Sequence, residues 1–167
     1  MTVNASGASI VGGSAVNANA SFTPPAASIA AGNIIGTAQQ FTFAFADGTP
    51  MPPGQLIRLL SVSVRVDAAA LISGEGAYTL HTYNVTPPSA RATNTAWTRA
   101  SGDLTAYRGS IVLGTPAFAG TGYIKTQLTD LQDFSLSSSS LWGELINAGT
   151  FTGVAVARQV FLHGVAL

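Results

Sequence analysis

Alternation of apolar and polar residues with a period of two runs through much of this chain and predicts strands rather than helices. From Gln40 to Ala46, Phe41, Phe43 and Phe45 oppose Thr42 and Ala44, which marks a half-buried strand with its aromatics in a core. From Leu56 to Asp67, Val62, Val64 and Val66 oppose Ser61, Ser63, Arg65 and Asp67. Such two-faced strands belong to antiparallel sheets, since buried parallel strands read as continuous apolar runs. Tyr78 to Tyr83 is a further strand, and Val154 to Val165 is a last one with Val154, Val156, Val160 and Leu162 on one side. Gly109 to Leu113 and Gly122 to Leu128 read as a pair joined through Gly114, Pro116 and Gly120. Leu141 to Ile146 fits a strand or a short helix, and Ala68 to Ile72 fits a helical turn or a continued strand.

Turn residues punctuate these segments: Asp47-Gly48-Thr49-Pro50, Pro52-Pro53-Gly54, Gly74-Glu75-Gly76, Pro87-Pro88 and Asn147-Ala148-Gly149. Many short strands separated by Gly/Pro turns, with no long helix, predict an all-β fold. The expected form is an antiparallel β-sandwich of jelly-roll type.

Met1 to about Thr23 carries no charged side chain, and Asp47 is the first charged residue of the chain. A run of Ala, Ser, Gly, Asn, Thr and Val cannot fold alone. Residues 1–25 are therefore expected to form an extended arm ending at Pro24-Pro25, and residues 26–167 the sandwich. The arm is either a disordered tail or a segment ordered by lying on a neighbouring subunit, where lack of charge avoids a desolvation cost.

At 167 residues the chain suits a single domain. Charged residues make up only 8% of it, against about 25% in ordinary globular proteins. Its surface must be covered by Ser, Thr, Asn, Gln, Ala and Gly, which suits a subunit whose exterior is largely covered by neighbours. A secreted protein with a Ser/Thr-rich surface is the competing reading. Lys+Arg and Asp+Glu balance at 7 each with no basic cluster, which argues against nucleic-acid or membrane-surface binding. The absence of cysteine removes disulfides, thiolate nucleophiles and Cys-based zinc sites. No signal-peptide pattern and no apolar run of roughly 20 residues is visible, so synthesis in a host cytoplasm is expected.

Candidate chemistry is sparse. His81 and His163 are the only histidines, too few for a metal site unless carboxylates such as Asp130 and Asp133 join them. Those two acids lack the density of a calcium loop. No Gly-x-Ser-x-Gly elbow occurs, and the glycines near Gly114 to Gly120 lack the Gly-Lys-Ser/Thr ending of a phosphate loop. Neither enzyme activity nor a bound metal or cofactor is expected.

The stretch from Leu80 to Leu113 concentrates the scarce charge and aromatics: Tyr83, Pro87, Arg91, Asn94, Trp97, Arg99, Asp103 and Tyr107. With Gly32, Ile35-Gly36, Phe41 to Phe45, Val62 to Val66, Leu104, Gly109 and the ending Leu162-His163-Gly164-Val165-Ala166-Leu167, it resembles small virion proteins of tailed bacteriophages, of the head decoration or cement type. Thr93 stands before Asn94 where that pattern carries an acid. The resemblance implies a non-enzymatic protein on the outer capsid surface, bound to the major capsid protein and to itself, often as a trimer. It also implies that these eight residues form a contact surface, with Trp97 either an interface anchor or a lid over one end of the core. The alternatives are a glycan- or receptor-binding module of a tail fibre or cell surface, stacking sugar on Tyr83, Trp97 and Tyr107, or a minor tail or connector subunit.

Overall fold

The computed structural model describes residues 2–3, 9–10, 13–89, 91–118 and 122–167. Among them are eight strands of six residues or more: β1 (Ala15–Phe22), β2 (Ile34–Thr42), β3 (Leu56–Val66), β4 (Tyr78–Tyr83), β5 (Tyr107–Gly114), β6 (Gly122–Ser135), β7 (Ser140–Asn147) and β8 (Arg158–Ala166). The larger sheet runs in the order Ala117–Phe118, β6, β3, β8, β1, Ala44–Phe45, and the smaller one in the order β2, β7, β4, β5. Every pairing is antiparallel. The fold is an all-β sandwich, as the alternation predicted.

The pairing is nested. β1 pairs with β8, β2 with β7, β3 with β6, and β4 with β5. The inward faces meet in one core containing Val16, Phe22, Phe41, Phe43, Leu59, Val62, Val64, Leu80, Leu145, Val160 and Leu162, all at most 1% exposed. Burying a side chain of this size contributes roughly 1.5–3 kcal/mol. Gly143 lies on the inner side of β7, where an added Cβ would come within 2.8 Å of Phe41 Cε2 and 2.9 Å of Leu80 Cδ1. The neighbouring side chains fill the space that a larger residue there would need.

Several expectations require correction. The expected arm, residues 1–25, includes β1, which is an interior strand of the larger sheet with Val16, Ala18 and Phe22 buried in the core. Low complexity hid a regular pattern: Val16, Ala18, Ala20 and Phe22 alternate with Asn17, Asn19 and Ser21. The short side chains bury little area alone, but the β8 ladder supplies their backbone partners. The Phe41 to Phe45 stripe is one run shared by two sheets, because the chain leaves β2 after Thr42 and re-forms a short strand, Ala44–Phe45, on the edge of the larger sheet. β5 and β6 are not paired: β5 closes on β4 and β6 on β3, so their Gly/Pro connection crosses between sheets. The last strand starts at Arg158, leaving Val154 exposed, and Ala68 to Ile72 forms neither helix nor strand.

Two bulges set side-chain directions. In β3 the inward residues change from Ile57 and Leu59 to Val62 and Val64, because Leu60 is an extra residue opposite the β8 step from His163 to Gly164. In the smaller sheet Gly143 faces Gln39 but Leu145 faces Ile35, so residues 36–38 of β2 bulge opposite Glu144 alone. Gly36 adopts φ +71° there, a conformation that glycine takes without steric cost.

Candidate functional site

Strand alternation places His81 and Tyr83 of β4 and Trp142 and Glu144 of β7 on the outer side of the smaller sheet. Pro87-Pro88 ends the extended run after β4, and the described residues of the segment 84–106 fold back over that side. Asn94 fastens it. At φ 62° it occupies the left-handed region that Asn tolerates, its backbone N–H donates to Ile34 O at 2.8 Å, and its Nδ2 donates to Ser28 O at 3.0 Å. Asn33 Nδ2 in turn donates to Asn94 O at 2.8 Å. Thr93 Oγ1 accepts the Gly36 N–H at 3.1 Å, tying the loop to the β2 bulge.

At the centre lies Glu144, 1% exposed. Its Oε2 accepts hydrogen bonds from Tyr83 Oη at 2.7 Å, Arg91 Nη1 at 2.9 Å and Trp97 Nε1 at 3.0 Å. Arg91 extends the network: Nη2 donates to Asp103, while Nε and Nη2 donate to Thr98 O at 3.0 and 2.7 Å. Nη1 also reaches Ser89 O, which completes use of the five guanidinium N–H groups. Asp103 is fully buried and accepts the Ser89 N–H at 2.8 Å. Burial alone would raise its carboxyl pKa, but the Ser89 amide and the Arg91 guanidinium hold it below the usual carboxylate range. Burial, followed by the hydrogen bond to Glu144, pushes the Tyr83 phenol up.

Aromatic contacts bind this hub to β4 and β5. The Trp97 indole stacks on His81 with centroids 3.6 Å apart and planes 6° apart. His81 Nδ1 lies 3.1 Å from Tyr107 Oη, and Tyr107 packs edge-on against Tyr83. Arg99 remains exposed, with its guanidinium 5.2 Å from the Tyr107 ring centroid. Pro87 is buried. The structure thus brings Tyr83, Arg91, Trp97, Asp103 and Tyr107 together, places Arg99 at their margin and Asn94 at the far end of the loop. Much of their polar capacity is used within the chain. Tyr83 is closed to any outside sugar, and one face of Trp97 is occupied by His81.

Glu144 was not singled out by sequence reasoning, although its signal was present as one acid at an outward position of an apolar strand. Buried acids of this kind are almost always paired. The same holds for Arg158 at the start of β8, which has no exposed area and pairs with Glu75, 3% exposed. Tyr78 Oη donates to Glu75 Oε1 at 2.7 Å, and the Phe151 ring centroid lies 5.2 Å from the Arg158 guanidinium.

The other candidates are dispersed. His163 Nδ1 lies 2.8 Å from Asn17 Oδ1 on the outer face of the larger sheet, Asp133 forms a two-bond pair with Arg58 at 2.6 and 2.7 Å, and the Asp130 side chain lies outside the described residues. Among the described residues no three His, Cys, Asp or Glu side chains group as a metal site.

The hub gives a pH dependence. Burial first, then the charges of Arg91 and Arg99, push His81 down to about 4 from its ordinary value of 6.5. The unfolded chain therefore binds a proton between these values that the folded chain excludes. Stability from His81 is full above about pH 6.5 and is lost as pH falls toward 4, by on the order of 3 kcal/mol. Thermal melts across this window should show the decline, and His81→Phe should flatten it; an unchanged slope would place the dependence elsewhere.

No protein-family model matches the chain, and no curated protein matches it. The resemblance to phage virion proteins therefore rests on the residues that carry it.

Proposed function

We propose that this chain is a bacteriophage virion structural protein without enzyme activity, a decoration or cement protein. In this reading it binds the outer surface of the head, associates as a trimer and holds neighbouring major capsid subunits together. The nested strand pairing supports a jelly-roll reading of the sandwich, a form used widely in capsid architecture. The observation that carries the functional reading is the outer face of β1 and β8. It presents Asn17, Asn19, Ser21, Gln159, half-buried Phe161 and His163, with no acid, lysine or arginine among them. A groove of about 400 Å³ runs along this face between Asn17, Asn19, Phe161 and His163 and the β2 residues Gln40 and Thr42. Amides and hydroxyls cost far less to desolvate than charges do, so such a face suits permanent cover by another subunit. Many modest contacts repeated by symmetry then add up to high avidity.

Quantitative mass spectrometry of purified particles tests the reading. Hundreds of copies per particle are expected, a handful would move the protein to the tail, and absence from particles would overturn the proposal. Because the contacts are uncharged, occupancy should also persist when particles are washed at about 1 M salt, where the screening length shrinks to roughly 3 Å. Release at that ionic strength would point to charge-driven attachment instead.

A further inference from the structure

A cavity of about 170 Å³ opens on the smaller sheet where β2 bulges away from Glu144. Thr37 and Ala38 of the bulge form one wall, Thr86, Pro87 and Ser89 another, and Trp142, Glu144 and Arg91 complete the lining. The bulge at residues 36–38 separates β2 from β7 beside a buried carboxylate, and bulges of this kind recur next to functional sites.

The Glu144 oxygens are used unequally. Oε2 accepts three hydrogen bonds, whereas Oε1 accepts only Arg91 Nη1 at 3.1 Å and keeps acceptor capacity. The chemistry of the lining restricts the occupant. An anion would meet the Glu144 carboxylate, and Arg91 has no N–H left to bind it. A cation would meet the Arg91 guanidinium directly beside that carboxylate. What remains is a neutral ligand with hydroxyl donors for Glu144, hydroxyl partners for Thr37 and Thr86, and an apolar face for Trp142 and Pro87. A pyranose ring has this combination, with hydroxyls at its edge and C–H groups on its faces, and it suits a cavity smaller than the usual 300–1,000 Å³ of drug-sized sites.

We infer that the cavity between the β2 bulge and Trp142 is a binding site for a single neutral sugar residue, with Glu144 as hydroxyl acceptor and Trp142 as stacking wall. This site is separate from the Tyr83, Trp97 and Tyr107 platform that the sequence suggested for sugar. It does not depend on the capsid proposal, because a head protein and a tail protein could each carry it.

The chain has two tryptophans, so the intact ¹⁵N-labelled protein gives two indole N–H resonances that report the cavity and the hub. Methyl glycosides of neutral hexoses, deoxyhexoses and N-acetylhexosamines are titrated to millimolar concentration, with n-butylammonium and acetate as charged probes. At least one glycoside should shift the Trp142 resonance saturably. Trp142→Ala and Thr86→Val should each weaken binding about tenfold or more, followed through backbone amides of residues 36–38, while the Trp97 resonance stays at its native position as a sign of an intact hub. Failure of all the glycosides to bind, a response to the charged probes alone, or glycoside binding undiminished in both variants would overturn the inference.

Discussion

Replacing Glu144 with alanine is expected to destabilise the protein by about 3–5 kcal/mol, the usual cost of removing one partner from a buried ionic network. Arg91 would keep Asp103 but lose its second carboxylate, and the Tyr83 hydroxyl and Trp97 indole would lose their acceptor at the same site. Glu144→Gln retains an acceptor oxygen but not the charge and should cost less, about 1–3 kcal/mol. Urea unfolding measures both. Hydrogen exchange should further show the amides of segment 84–106 losing protection before those of the core strands, because the network ties that segment to the sheet. A loss under about 1 kcal/mol for Glu144→Ala would mean that water supports the hub in place of the carboxylate.

The second large effect concerns Arg158. Arg158→Ala should also cost about 3–5 kcal/mol, since it strands the Glu75 carboxylate against Tyr78 away from water. The double variant Arg158→Met with Glu75→Gln should recover much of that loss, because no unpaired charge is left and the methionine refills the space beside Phe151. A double-mutant cycle on urea midpoints reads the coupling. Additive losses from the two sites would contradict the mutual dependence of the pair.

These two networks also mark where sequence reasoning stopped. Aromatic and β-branched alternation made the strands around Val62, Val64 and Val66 and from Tyr78 to Tyr83 legible, and with them the all-β class. Strand pairing was less accessible, because β5 lies near β6 in sequence but its ladder belongs to β4. Nothing local distinguishes these options. β1 was obscured by composition, although Val16 and Phe22 bracket a regular alternation. Of the hub, the loop residues stood out by type, but their partner Glu144 lies some forty positions beyond Asp103 on another strand. Sequence distance concealed why Arg91 and Asp103 occur together. His81 was weighed as a metal ligand, whereas its ring serves as a stacking surface for Trp97.

The nested ladder also bears on how the chain comes to be folded during its synthesis. β1 is made long before β8, yet its long ladder runs from Ala15 opposite Val165 to Phe22 opposite Arg158. Until β8 has emerged from the ribosome, β1 cannot form that ladder. The innermost hairpin, β4 with β5, is the first long pair to become complete, and assembly can then proceed outward from it. Contacts that join opposite ends of a chain are slow to find. Until then the uncharged strand β1 has only the short pairing of Val16 and Asn17 with Phe45 and Ala44, and its Asn and Ser side chains keep one side of it hydrated during that interval.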